Sequence, residues 1–500
     1  MRNRNIPPAV LWAAGALAFF ILATANSGGY RYGASDQAFY IPAIRKAMDP
    51  SLFPHDSPLL NAQGHVILWD GLVAAMTAAT ALPLPWVFFF LYSAGLVALY
   101  AGGGLLARAA GLGTPGTVAL LAMMTLRHRI AKTGVNTLEG YLHPRMIAFA
   151  FGVLATAAFM RKRPAWAGAS LVAAAAVHPT TAVWFAMLIG AAAFVAWPRW
   201  RAPLGALAIA GAAATIWAIA AGPLAARAVV MDAAWLSAIA SKDYLFPHEW
   251  PAYAWISNLL PAGIAALALW RARDLSPELR GLLAGALALT AFFLATLPFV
   301  AMRYALAVQM QIPRVFWLVE LVALLVIARA ASGRSIALGR ALALFFVVVS
   351  VARGGAVLFG EKEGRLVSIG LPSGDWMEAM AWLRSRPGRA HVLADPEHAW
   401  RYESSVRVAA ERDVFHEDVK DAAIAMYDRD VALRVVERRA LTSDFPVRPV
   451  TELQALARTY GLDYLVSDER YDLPVVYENA TFRIYALSTQ HPAGSTEHRR

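Results

Sequence analysis

The stretch PAVLWAAGALAFFILATANSGGYRYGASDQAFY, residues 8–40, decides the fold. Residues 8–26 form an apolar run of the length, about 20 residues, that a helix needs to cross a bilayer. Directly after it come Tyr30, Tyr32, Asp36, Phe39 and Tyr40, and the segment continues through Met48-Asp49-Pro50 to Phe53-Pro54-His55-Asp56. Asp36, Asp49 and Asp56 thus stand at a membrane surface, where charge is costly without a task or a partner. That arrangement points to chemistry at the outer face of a bilayer.

The rest of the chain extends the pattern. Of 500 residues, 58% are hydrophobic, and the mean hydropathy is +0.48. Apolar runs near spanning length recur at 8–26, 65–82, 86–107, 115–127, 145–160, 165–178, 180–197, 203–221, 255–271, 279–301, 308–329 and 335–353. The fold class is therefore mainly α: a polytopic transmembrane helical bundle of about 11–13 spans. The net charge of +11 does not mark a nucleic-acid surface. Its basic residues cluster in short connections, Arg161-Lys162-Arg163-Pro164, Pro198-Arg199-Trp200-Arg201, Arg271-Ala272-Arg273 and Arg334 to Arg340, which is the positive-inside pattern. It places the N-terminus in the cytoplasm and everything after about residue 355 outside. Such a chain crosses an odd number of times, so one of the twelve runs is not a span; 115–127 is the weakest. Arg2, Arg4 and Ala23-Thr24-Ala25 also fit a signal peptide, but with many later spans an uncleaved first helix is the better reading. Cysteine is absent, which excludes disulfides and thiolate metal sites. Gly102-Gly103-Gly104 lies in an apolar run and reads as a helix-packing surface rather than a phosphate loop.

From about residue 360 the character changes. Asp375 to Arg386 reads as a helix, His391 to Asp395 as a buried strand, Ala422 to Arg439 and Thr451 to Tyr460 as helices. Gly461 ends the last of these, 463–467 is a second strand, and 475–477 with 481–487 form a hairpin turning at Glu478-Asn479-Ala480. The organisation is a membrane domain, 1–355, with an outer loop 27–64, a small exported α/β domain, 360–490, and a disordered tail, 491–500. The exported domain shows no catalytic triad order, metal cluster or carboxylate pair, and reads as a lid, docking or assembly module.

Asp36 opens an amphipathic stretch to Met48, with Phe39, Ile41 and Ile44 toward the membrane boundary. It reads either as the cap of an interfacial helix or as a general base for an acceptor hydroxyl. A second polar group, Arg127-His128-Arg129, Lys132, Glu139, His143 and Arg145, separates two apolar segments. It is a solvated loop or a phosphate and sugar contact with Glu139 as a second acid. His178-Pro179 breaks an apolar hairpin, as a helix-end residue or a site residue. Arg303 and Arg314 flank the outer end of the 308–329 run, where a guanidinium either snorkels or binds phosphate. Lys242, Asp243, Tyr244, Phe246, His248 and Trp250 form an aromatic belt or a sugar-stacking surface.

This layout resembles the GT-C superfamily of membrane glycosyltransferases. Asp36-Gln37-Ala38-Phe39-Tyr40 is similar to that superfamily's first-loop acidic motif. Residues 48–56 and the stretches Ser405-Val406-Arg407 to Arg412 and 460–466 are similar to uncharacterised bacterial members. The resemblance implies inverting transfer of a sugar from a polyprenyl-phosphate donor to a glycan, lipid or protein acceptor in a cell-envelope membrane, the bacterial inner membrane. Asp36 would be the catalytic base and Glu139 a second acid, with Asp49, Asp56, His143, Arg145, His178, Lys242, Arg303 and Arg314 toward the substrates. Many members carry two adjacent acids; here Gln37 follows Asp36, which leaves a divalent cation, Mg or Mn, open. A non-catalytic scaffold or sensor and a lipid or solute transporter are the competing readings. No internal repeat supports the transporter.

Overall fold

The computed structural model describes residues 7–64, 68–271, 274–361, 364–445 and 447–487. Within it the chain divides into two compact units, one of Met1–Tyr30, Phe89–Met231 and Asp243–Val367, the other of Arg31–Phe88, Asp232–Lys242 and Ser368–Arg500. The expected tail 491–500 and the basic residue Arg273 lie outside the described residues.

The first unit is a helical membrane bundle. Eight described helices are long and apolar enough to cross a bilayer: Pro8–Asn26, Leu84–Ala109, Pro179–Ala196, Pro198–Ala220, Ala252–Arg271, Pro277–Ala301, Ala305–Arg334 and Ile336–Gly360. Three shorter apolar helices, Thr114–Met124, Pro144–Met160 and Pro164–Val177, pack among them. The apolar stretch of Pro198–Ala220 is 0% buried, so that helix turns apolar side chains outward all round, as suits a helix surrounded by lipid. In the interior Phe149 stacks on Trp317 at 3.7 Å, and Phe293 meets Phe316 edge-on at 4.8 Å. Small residues let backbones approach. A Cβ on Gly281 would lie 2.4 Å from the Ala192 carbonyl oxygen, and one on Gly285 2.5 Å from that of Leu188. These two glycines, four apart on Pro277–Ala301, bring it against Pro179–Ala196. Gly102 and Gly103 behave alike, their missing side chains filled by Val153, Leu154, Leu121 and Met124, as a packing surface requires.

Two of the expected spans are corrected, and a third, 308–329, stands as a span with a break near its start. The run 65–82 becomes a helix of 12 residues, Trp69–Thr80, in the second unit, about 18 Å long and too short to cross. The run 115–127 is an 11-residue helix, Thr114–Met124. The run 308–329 is broken at its start, because Pro313 cannot continue the helix Ala305–Gln309; the chain turns through Gln311 and resumes at Val315–Arg334.

The second unit holds a five-stranded sheet in the order Asp413–Val414, His391–Leu393, Tyr464–Ser467, Arg483–Ala486, Val475–Glu478. The first three strands are parallel, and the last two join antiparallel. Strand alternation sorts side chains to two cores. Val392, Val466 and Ile484 pack with Trp376, Met380 and Leu383 of helix Asp375–Ser385. Leu393, Leu465 and Tyr485 pack with Leu453 and Leu456 of helix Val450–Tyr460. Gly461 closes that helix at φ +64°, the left-handed cap glycine adopts without strain. Asn479 accepts the amides of Thr481 and Phe482 and sets the hairpin turn. The expected helix 422–439 is two, Asp418–Ala425 and Arg429–Thr442, because Asp428 takes the amides of Asp430 and Val431 and starts a new one. The stretch after Asp36 is also corrected: helix Gln37–Met48 buries Phe39, Ile41 and Ile44 inside this unit and packs against Trp69–Thr80 instead of lying on lipid.

Candidate functional site

Two His-Pro pairs organise the polar end of the membrane unit. His143-Pro144 starts helix Pro144–Met160, and His178-Pro179 starts helix Pro179–Ala196. Proline suits the first helical position because the amide it lacks has no partner there. In both pairs the histidine is the cap: Nδ1 of His143 accepts the Arg145 amide at 3.2 Å, and Nδ1 of His178 that of Thr181 at 3.3 Å. With Nδ1 accepting, a neutral ring carries its proton on Nε2. His178 lies within the electrostatic reach of His143, Arg314 and Arg145.

Arg145 is 4% exposed, and its Nη2 donates to Glu139 at 2.7 Å. Asn136 donates to both Glu139 oxygens at 3.2 and 3.0 Å, and Arg127 stands 3.9 Å away. Arg314 heads helix Val315–Arg334, delivered by the turn in which Gln311 takes the left-handed φ of 49°. Such strain in a non-glycine residue gathers at functional sites. Two arginines, two histidines and helix amino ends, with one carboxylate, make a site for an anion. Arg303 is engaged elsewhere in this unit, with Glu249 at 2.6 Å and over the Phe246 ring at 4.4 Å, as an interfacial cation would be.

In the second unit Asp36 precedes helix Gln37–Met48 but makes no side-chain cap bond. Its Oδ1 faces the Lys420 ammonium at 3.2 Å, which also lies over the Phe39 ring. Lys242 is buried, donates to the Val419 carbonyl at 2.8 Å, and feels the charges of Lys420 and Asp36. Burial, and then Lys420, push its ammonium pKa down. Gln37 is turned inward, its Oε1 accepting the Gly33 amide at 2.7 Å, and serves the turn.

Asp56 belongs to a buried charge cluster in the same unit. Arg407, 1% exposed, donates Nε to Asp56 at 2.8 Å and two nitrogens to Asp421 at 2.6 and 3.2 Å; Glu417 lies 3.4 Å from it. Arg434 also pairs with Asp56, and Ser405 donates to Glu417 at 2.5 Å. Burial alone would raise the Asp56 pKa, yet Arg407 and Arg434 outweigh it and hold it at about 2. The expectation of no carboxylate grouping in the exported domain is therefore corrected. Asp421 and Glu417 meet Asp56 only once the chain is folded. Asp49 is half exposed, bonded to Ser51 and to Arg389 at 2.9 Å.

Glu417 makes this cluster sensitive to pH. Burial, and repulsion from Asp421 against the pull of Arg407, move its pKa from 4.5 to about 7, and its Oε1 has no hydrogen-bond partner. Between those values the folded protein keeps a proton that the unfolded chain has released. Its contribution to stability therefore declines as pH rises through that window and is lost above it. In Glu417→Gln this decline vanishes. The variant should gain on wild type between about pH 4.5 and pH 7, by up to about 1.4 kcal/mol per pH unit, and hold that gain above it, in denaturant melts at a series of pH values. A constant difference across the range would mean that Glu417 is ionised in the folded protein.

The structure thus gathers Glu139, His143, Arg145, His178 and Arg314 in one unit, and Asp36 with Lys242 in the other. Asp49, Asp56 and Arg303 have other partners. Sequence reading missed Lys420 and the role of Arg407. The sole clue to the latter was an arginine in the apolar run Val406 to Ala410, since arginine is rarely buried unless paired. Among the described residues no group of three or more His, Asp or Glu side chains that could hold a metal ion is found.

No family model matches this sequence, and no curated protein matches it. Among solved structures, the chain is similar to the Archaeoglobus fulgidus oligosaccharyltransferase in its apo form, at 12% identity and a TM-score of 0.48 over 92% of this chain and 70% of that one. It is similar also to AglB of that organism in complex with an inhibitory peptide and a dolichol-phosphate, at 13% identity and 0.47 over 92% and 69%. Arabinofuranosyltransferase AftD from Mycobacteria gives 14% identity and 0.47, over 99% of this chain and 40% of that one.

Proposed function

We propose that this integral membrane protein is a glycosyltransferase that moves a sugar, with inversion, from a polyprenyl-phosphate donor to an acceptor at the outer face of the membrane. The observation that carries the reading is the convergence of His143, Arg145, His178 and Arg314 at helix amino ends. A lipid phosphate is the anion that a membrane bundle meets, and charged donors neutralise it as the sugar departs. Glu139 serves as the positioning residue for Arg145 rather than as a second acid, because Arg145 and Asn136 occupy both of its oxygens. Asp36 is the general base, taking the proton of the acceptor hydroxyl as its oxygen attacks the anomeric carbon and the phosphate leaves. Lys420 holds that carboxylate in place before the acceptor arrives.

The test is transfer of labelled sugar from polyprenyl-phosphate donors by the purified protein in lipid. Arg314→Gln is expected to weaken donor use about tenfold to a hundredfold, the worth of one hydrogen bond to a charged group. Transfer that ignores Arg314→Gln would move the phosphate elsewhere in the bundle. No transfer with any donor tried would sink the glycosyltransferase reading.

A further inference from the structure

A groove of about 630 Å³ runs along the first helix of the membrane unit, apart from the site above. One wall is a single face of helix Pro8–Asn26, formed by Leu11, Trp12, Gly15, Phe19 and Leu22, and the other includes Leu121 and Val347. From Leu11 to Leu22 this face extends about 16 Å, at 1.5 Å per helical residue. That is about half of the 30 Å hydrocarbon core, the depth of one leaflet. The one charged side chain that lines the groove stands at one end of it. There Arg108, in the last turn of helix Leu84–Ala109, lies over the Trp12 ring at 4.6 Å. No carboxylate among the described residues pairs with it. Thr114 and Thr117 line the same end.

We propose that this groove binds an anionic phospholipid, with one acyl chain along Leu11 to Leu22 and the headgroup phosphate on Arg108. Charge complementarity selects the occupant. A cation without a carboxylate at the mouth of a slot one leaflet deep matches a negatively charged headgroup, whereas a choline headgroup would set a second cation beside the guanidinium. The glycine at position 15 belongs to the slot: a Cβ there would fall 2.3 Å from the Tyr100 hydroxyl.

Native mass spectrometry of the full chain, given equal amounts of phosphatidylglycerol and phosphatidylcholine with matched chains, tests this. Wild type should retain phosphatidylglycerol about fivefold over phosphatidylcholine, the worth of one basic residue at an anionic lipid. Arg108→Gln should lose the preference and Arg108→Lys keep most of it. Ala18→Trp, at an exposed position lining the slot, should lose both lipids. Equal retention of the two lipids by wild type would overturn the proposal. So would undiminished binding by Ala18→Trp, or retention of a polyprenyl phosphate in preference to phosphatidylglycerol.

Discussion

Replacing Arg407 with methionine is expected to destabilise the second unit by about 3–5 kcal/mol, the cost of leaving buried charges uncompensated. The side chain is 1% exposed and lies among Asp56, Asp421 and Glu417, none more than 1% exposed. Without it Asp421 loses a two-pronged guanidinium contact, and Asp56 keeps the Val414 amide and a single cation, Arg434. Methionine fills the volume but offers no donor. Arg407→Lys should fall between the two, because one ammonium cannot serve carboxylates on opposite sides as a planar fork does. The exposed pair Arg384–Glu411 is the control, and Arg384→Gln should cost no more than about 1 kcal/mol. Denaturant melts and the rate of proteolysis within 368–487 would report the difference. An Arg407→Met protein as stable as the Arg384→Gln control would show the cluster to be dispensable.

Asp36→Asn should lower kcat for sugar transfer by about a hundredfold to ten-thousandfold while leaving donor affinity close to wild type, as the loss of a general base does. The amide keeps an oxygen for Lys420 to approach, so the loop should remain in place and only the proton acceptor is removed. Lys420→Met separates positioning from chemistry. With the base present but untethered, kcat should fall less than in Asp36→Asn, and the acceptor KM should rise. If Asp36→Asn turns over at the wild-type rate, the base lies elsewhere. If Lys420→Met matches Asp36→Asn in kcat, the lysine itself takes part in the reaction.

Much of the bundle was legible because lipid imposes a simple demand: about 20 apolar residues, punctuated by basic turns. The run 8–26 matches its helix, and His178-Pro179 stands where one helix stops and the next starts. The same demand misled at 65–82. A short helix that buries an apolar face on a neighbouring helix has the composition of a span, and the neighbour, Gln37–Met48, is itself buried. The cationic group at His143, Arg145, His178 and Arg314 was legible residue by residue, since charge in apolar surroundings needs a reason. Its convergence was not, because no local pattern ties position 145 to position 314. The Arg407 cluster is the extreme case: its partner Asp56 lies 351 residues away. Lys420 lies in the first turn of the short helix Asp418–Ala425 between Asp418 and Asp421, where a lysine reads as a surface charge paired within its own helix.

The way His143 and His178 begin their helices has a consequence for the medium in which the protein works. A ring whose Nδ1 is taken by the first turn of a helix can offer a hydrogen only from its other nitrogen. A further proton could enter such a ring only at Nδ1, where it would displace the hydrogen bond that the first turn of the helix donates there, so the cap opposes charging of the ring. Arginine side chains, as a class, keep their charge throughout the ordinary range. The hold on a phosphate should therefore vary little with the acidity of the surroundings, and any steep dependence of turnover on pH would belong to the proton acceptor and not to the grip on the lipid.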